Sequence, residues 1–320
     1  MTISEKGVAP VRSRSIRSRS NEGFIVVAVL WILAALATLA SVYAIYVSNT
    51  VSAARVNDDR IQAQALVSAA LELTAYQLTA ADEETRPSRG TFGFRMGGAG
   101  VAVEFRSEAA RIDLNAAPKE LLAGLFIALG ARPVDAAFFA DRIIGWRSNA
   151  AGEGQAGSEA AGYLTAGLSY GPRGAPFAHV SELWLVRGIP PQLVERALPY
   201  MTVFSGQQGV HILDAAPLVL AALPGMTPEL LNAALTQRGT GRQNGEYVLQ
   251  LLGPARGGAT LETSKAIRVR VGVEFQNGRR VNSSVVILLN LDSATAPYRV
   301  LSWRNDADGP IEDEPRAGSR

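Results

Sequence analysis

The run FIVVAVLWILAALATLASVYAIYV, Phe24–Val47, contains no charged residue, no proline and no glycine. As a helix it would span roughly 36 Å at 1.5 Å per residue, more than the ~30 Å hydrocarbon core of a bilayer. That length and composition predict one membrane span. Lys6, Arg12, Arg14, Arg17 and Arg19 precede it, opposed by Glu5 and Glu22 alone. Basic residues stay on the cytoplasmic side, so the chain after Val47 is expected outside the cytoplasm. Tyr43 and Tyr46 stand at the far end, where amphipathic rings favour the membrane–water boundary. A secretory signal peptide fits poorly, because its apolar core runs to about 7–15 residues and no A-x-A site follows directly on this one.

Charge needs reading by segment. The pI of 9.0 describes a basic chain, but five of the 31 basic and two of the 29 acidic residues lie before Phe24. The remainder carries 26 basic against 27 acidic residues, a net charge of −1, so no global case for a polyanion partner survives. The absence of cysteine removes disulfides, thiolate metal sites and thiol chemistry. A hydrophobic fraction of 48% with 19% charged residues suits packed domains rather than a disordered chain.

Residues 1–20 are polar and rich in Ser and Arg, and read as a topology-setting tail. From Ala53 to Ala81 there is no Gly or Pro, and Ile61, Ala65, Ala69, Leu73 and Tyr76 recur at helical spacing as one candidate buried face. The helix from the membrane is expected to continue through this stretch, with a hinge near Asn57-Asp58-Asp59 as the alternative. Thr91–Met96 and Val101–Arg106 flank a glycine-rich turn and alternate in polarity, which predicts a hairpin. Helices are expected over Lys119–Leu129, with Asn115 as N-cap, and over Val134–Trp146. Residues 147–178 lack periodicity and read as a surface insertion. Two short helices, Val180–Val186 and Pro191–Pro199, follow. Near the end, Val269, Val271, Val273 and Phe275 alternate with polar residues, and Asn277-Gly278 turns into another strand.

An internal repeat joins Leu114-Asn115-Ala116-Ala117-Pro118 to Leu213-Asp214-Ala215-Ala216-Pro217. Each copy leads into a leucine-rich helix and a glycine-containing turn. Helical hairpins of this kind serve some nucleic-acid binders, whose turn amides hold a phosphate. Here Pro224 and Pro228 remove amides, and no Lys or Arg lies between Ala215 and Ala234. A packing role is the better reading. For catalysis the chain offers His179 and His211, without H-E-x-x-H, G-x-S-x-G or a P-loop. His179 reads as a packed or capping residue, and Asp113, Glu182 and Asp214 as residues heading helices.

The junction Asn21-Glu22-Gly23-Phe24 places Gly before the Phe that opens the apolar helix. This resembles the type III signal of type IV pilins and type II secretion pseudopilins, in which a prepilin peptidase cuts after the Gly and the new terminal Phe is methylated. Counting from Phe24, the fifth position is Ala28, where most pilins carry Glu; an apolar residue there characterises the minor component K. The segments D-L-N-A-A-P (113–118), F-A-H-V-S-E-L-W-L-V-R-G-I (177–189), L-P-Y-M-T-V-F (198–204) and P-Y-R-V-L-S-W-R (297–304) resemble, in order, the type II secretion minor pseudopilin K family.

That resemblance implies an α+β pilin-like fold with a long N-terminal transmembrane helix, an antiparallel sheet and a large helical insertion domain. It divides the chain into a cytoplasmic leader (1–23), a membrane helix (24–47), a pilin-like helix with first strands (48–111) and an insertion (112–200). A second hairpin with the closing sheet (201–304) and a solvated tail (305–320) complete it. The implied strands are 91–106, Met201–Ser205, Ala266–Gln276, Val281–Leu291 and Tyr298–Trp303. The implied role is a non-catalytic cap at the tip of a periplasmic pseudopilus, anchored in the inner membrane and supporting protein export. Its implied partners are minor pseudopilins I, J and H, the prepilin peptidase and the inner-membrane secretion platform, with no nucleic acid and no cofactor. Relatives often carry an Asp-rich loop after the Trp of the second insertion helix; here Arg147-Ser148-Asn149 follows Trp146, so no metal site is assigned. The alternatives are a membrane-anchored helix-hairpin-helix DNA-uptake receptor and an anchored periplasmic enzyme.

Overall fold

Helix α1 (Glu22–Thr79) is continuous through residues 48–59, as expected of a stretch with no helix breaker between Phe24 and Thr79. The structure is a computed structural model that describes residues 22–82, 85–148, 161–238, 245–291 and 296–306. The leader before Glu22 and the tail after Asp306 lie outside the described residues. Two compact units divide at Gln62/Ala63. The first contains the amino-terminal part of α1, of which Phe24–Ser48 is long and apolar enough to cross a membrane and is not buried. The second unit holds everything from Ala63 onward.

In the second unit the end of α1 packs on a five-stranded antiparallel sheet in the order β1-β2-β7-β8-β9. The strands are β1 (Arg89–Met96), β2 (Ala99–Ser107), β7 (Ala266–Glu274), β8 (Arg280–Leu289) and β9 (Tyr298–Asp306). Ala63, Leu66, Val67, Ala70, Leu71, Ala75 and Leu78 pack with Val101, Val103, Phe105, Val269, Val271, Val273, Val285 and Ile287 in one core. Full burial of Leu71 and Leu78 stabilises by roughly 1.5–3 kcal/mol each. This corrects the expected face. Ile61, Leu73 and Tyr76 are 61%, 41% and 70% exposed, and the stripe against the sheet lies beside them. Both stripes repeat at three and four; the broader one, from Ala63 through Leu66, Val67, Ala70 and Leu71 to Leu78, is the one that packs.

The hairpin β1–β2 turns through Gly97 and Gly98, both at positive φ, as a two-residue turn requires. At the edge of the sheet the Phe105 ring covers Gly90, its register partner.

Ser107 pairs with Ile267 on the neighbouring strand β7, so residues 108–265 form an insertion between adjacent strands. A second core fills it, running from Ile112 through Leu121, Leu125, Phe126, Ile143 and Leu183 to Ala255. Its helices are α2 (Lys119–Ala128), α3 (Pro133–Arg147), α4 (161–165), α5 (Pro191–Ala197), α6 (Pro217–Ala221), α7 (Pro228–Gln237) and α8 (Gly245–Leu251). Two short parallel ladders tie its loops together: β3 (Ile112–Asp113) with β4 (Met201–Thr202), and β5 (Val210–His211) with β6 (Ala259–Thr260). Met201–Ser205 therefore contributes two residues to a ladder inside the insertion and none to the main sheet. Buried Tyr163 and Phe177 likewise show that part of 147–178 is core rather than surface; residues 149–160 lie outside the described residues.

The repeat is spatial as well as sequential. Gly124 of α2 faces Ala222 just after α6, so closely that a Cβ at Gly124 would lie 1.9 Å from the Ala222 carbonyl oxygen. The two repeat helices thus cross with backbone against backbone.

Candidate functional site

The residues singled out for processing lie on the first turns of α1. Gly23 is helical, the Phe24 side chain is 78% exposed, and Ala28 is half-buried. The apolar surface they open continues through Trp31, Leu36, Leu39 and Tyr43, all exposed. Such a surface is stable only in lipid or against other apolar helices.

The insertion is held to the sheet by a buried ion cluster. Glu108, at the end of β2, has no solvent exposure. Arg268 of β7 donates Nε–H to Oε1 at 2.7 Å and a second N–H to Oε2 at 3.0 Å. Arg111 donates to Oε1 at 2.9 Å, and the Thr202 hydroxyl donates to Oε2. Burial alone would raise the Glu108 pKa, but the charges of Arg268 and Arg111 and their hydrogen bonds prevail and hold it at about 2. The cluster ties the residue after β2 and Arg268 of β7, which flank the two passages between sheet and insertion, to Thr202 of β4 inside the insertion. Sequence reading did not find it. Glu108 interrupts no periodic pattern, and Arg268 lies 160 positions away.

A second buried contact uses the repeat. Asp214 lies 2.9 Å from Nδ1 of His211 and 3.5 Å from Arg89 of β1. Burial would raise its pKa, yet His211, Ser88 and Arg89 together lower it. The matching residue of the first copy, Asn115, accepts from the Phe177 amide at 2.7 Å and donates to the Phe177 carbonyl at 3.0 Å. Neither is an N-cap, because Pro118 and Ala216 occupy those positions. In both copies the polar residue anchors a distant segment. Asp113 does the same, accepting from Ser205 Oγ at 3.0 Å and from the Gly206 amide at 2.7 Å.

His179 caps the 3-10 turn Val180–Leu185, its Nδ1 accepting from the Ser181 amide at 3.1 Å. Glu182 accepts from Trp146 Nε1, Arg173 and the Ala178 amide. It thereby orients Trp146, whose ring stacks near Phe177 and Tyr163 at 6.2 and 6.1 Å. These are architectural uses of the residues that catalysis would need. Among the described residues no group of three or more His, Asp or Glu side chains is placed to hold a metal ion. The α6–α7 turn bends at Leu223-Pro224-Gly225-Met226, with the Met226 amide donating to the Leu223 carbonyl at 3.1 Å. Its nearest following cation in the sequence, Arg238, is engaged by the Ile212 carbonyl, and Pro224 and Pro228 supply no amide, so little here favours a phosphate site.

A long apolar N-terminal helix whose far end packs on an antiparallel sheet, with a helical body inserted between neighbouring strands, defines a pilin-like α+β protein. Residues 105–206 match the family model of type II secretion system (T2SS) protein K. The structure is similar to a chain of the solved GspK–GspI–GspJ complex from the enterotoxigenic Escherichia coli type 2 secretion system. The TM-score is 0.54 at 16% identity, over 79% of this chain and 99% of that one. No curated protein sequence matches the chain. Within the pilin-like class, these findings support the minor pseudopilin K family.

Proposed function

We propose that the chain is a minor pseudopilin that caps the tip of a periplasmic pseudopilus and supports protein export across the outer membrane. The observation that carries this reading is the helical body inserted between β2 and β7, overlapping the T2SS protein K match. A pilin-like subunit burdened with such a body leaves little room for another subunit stacked above it, which suits an end position. The span Phe24–Val47 anchors the chain in the inner membrane, leader in the cytoplasm and body in the periplasm. Cleavage after Gly23 and methylation of Phe24 by the prepilin peptidase precede assembly. The partners are minor pseudopilins I and J, with H and the inner-membrane platform. The exposed Leu73 and Tyr76 face of α1 adds apolar surface for neighbouring helices.

Mass spectrometry of the protein from cells with an active prepilin peptidase tests the reading: a terminus at methylated Phe24, together with co-purification of pseudopilins I and J, is the expected result. A protein that starts at Met1 and purifies without them overturns it.

A further inference from the structure

The face of the sheet opposite α1 meets the insertion in a cleft of about 640 Å³. Arg111, Arg268, Arg270 and Arg304 line it, and Glu195 is the one carboxylate among its described lining residues. Glu108, buried behind the wall, pairs with Arg111 and Arg268 together. Glu104 lies 3.7 Å from Arg270. Arg304 is exposed and has no ion-pair partner among the described residues. After burial, the charges of Arg268, Arg270 and Arg106 contribute to pushing the Arg111 guanidinium down to about 10, the mark of cations crowded together.

The register sets the spacing of this charge. Arg270 pairs with Ser284, and Ser284 with Arg304, so the two arginines share one row, two strands apart. Strand separation puts their backbones roughly 10 Å apart, and alternate side chains of an extended peptide lie roughly 7 Å apart. Long guanidinium side chains bridge that difference. Between them Ser284 offers a hydroxyl, and Val180, Leu198 and Phe204 supply apolar wall. A single small anion would engage one end of such a cleft; two carboxylates on one strand engage both.

We propose that this cleft docks an extended acidic segment of a partner protein, with carboxylates at alternate positions held by Arg304 and Arg270. The proposal is independent of the processing and capping reading given above.

The test uses the full chain in neutral detergent and a fluorescein-labelled peptide carrying Glu at alternate positions, followed by anisotropy. Saturable binding that weakens as salt rises is expected, with none for the Gln counterpart. Arg304→Gln combined with Arg270→Gln weakens it by about tenfold or more. Arg304→Gln alone, at an exposed position, gives a several-fold loss without a change in melting temperature. Equal binding to wild type and variants overturns the proposal. So does equal displacement by inorganic phosphate, which marks a simple anion site, or tighter binding of a single-stranded oligonucleotide. Binding that appears only after removal of residues 307–320 also overturns it, and assigns the cleft to Asp308 and Glu312–Glu314 of the chain itself.

Discussion

Arg268 grips Glu108 through two bonds of 2.7 and 3.0 Å across 160 positions of sequence. One residue stands where the insertion leaves the sheet, and the other on the strand to which it returns. The pair therefore closes the largest loop in the fold, and does so without water access to the carboxylate. Arg111 and Thr202 fill the remaining acceptor sites, which is the condition under which a buried carboxylate is tolerated.

Replacing Arg268 by Ala leaves Glu108 buried with Arg111 as its sole cation. Loss of one partner from a buried pair costs about 3–5 kcal/mol. Urea unfolding of the variant is expected to show that loss, with the sheet and insertion still melting together. The double variant Arg268→Leu with Glu108→Met is expected to lose less than the two single changes added, because no orphan charge remains. Strict additivity would mean the pair is not coupled.

Acid sensitivity follows from the same carboxylate. A group whose folded pKa is depressed contributes stability above its unfolded pKa and loses it as pH falls through the folded value. For Glu108 the window runs from the ordinary 4.5 down to about 2, a contribution of about 3 kcal/mol at neutral pH. Asp214, also depressed, acts in the same direction. Stability is expected to be flat near neutrality and to decline below about pH 4.5. In Glu108→Gln the curve should start lower and decline less steeply; an unchanged slope would count against the assignment.

The strands were legible because the sheet is covered by α1 on one face and Val101, Val103 and Phe105 alternate with polar neighbours, as do Val269, Val271 and Val273. The same kind of pattern misled at α1. Ile61, Leu73 and Tyr76 form as regular a stripe as Leu66, Ala70 and Leu78, and periodicity carries no information about which stripe meets the sheet. The stripe that meets the sheet is the broader one, with Leu66, Val67, Leu71 and Leu78 beside Ala63, Ala70 and Ala75. Asn115 looked like a cap since it precedes Pro118, yet its amide is used by Phe177, 62 positions on. Tyr163 was hidden among glycines and alanines, and its place beside Trp146 depends on packing that local composition does not encode. The candidate processing residues are local by nature, so the junction Gly23-Phe24 could be proposed from four residues. The ion cluster could not, because its members come from three separate stretches.

Gly124 gives a direct test of the repeat packing. A Cβ there would lie 1.9 Å from the Ala222 carbonyl oxygen, a contact no side-chain rotation relieves. Gly124→Ala is expected to destabilise by about 1–3 kcal/mol despite its better helix propensity. Gly100→Ala, which meets nothing within 4 Å, serves as the control and should be near neutral. Thermal unfolding of the two variants side by side decides the matter; a more stable Gly124→Ala would mean α2 and α6 do not cross as described.

Processing is addressed at Gly23. A bulky residue such as Trp at this position is expected to block cleavage while leaving Phe24–Val47 able to insert. A full-length, membrane-bound precursor should accumulate, visible as a slower band by immunoblot. Normal maturation of Gly23→Trp would remove the proposed junction from consideration.

The last prediction concerns Ala28. In the pilin family to which the chain is similar, Glu at the fifth position after the cleavage site is held to pair with the terminal amine of the subunit above. A carboxylate in hydrocarbon is tolerable only with such a partner, since an uncompensated charge there costs several kcal/mol. Ala28 makes no pair, so a subunit carrying it gains nothing from a neighbour above and loses nothing when there is none. That is the situation of the first subunit in a filament. Giving the chain Glu by Ala28→Glu would place a charge on α1 with no amine above it to meet. Assembly is therefore expected to be unchanged or reduced, and never improved, in a secretion assay that complements a deletion of this gene. Enhanced secretion by Ala28→Glu, or labelling that finds the chain repeated along the filament shaft, would show that it has a neighbour above and is not the cap.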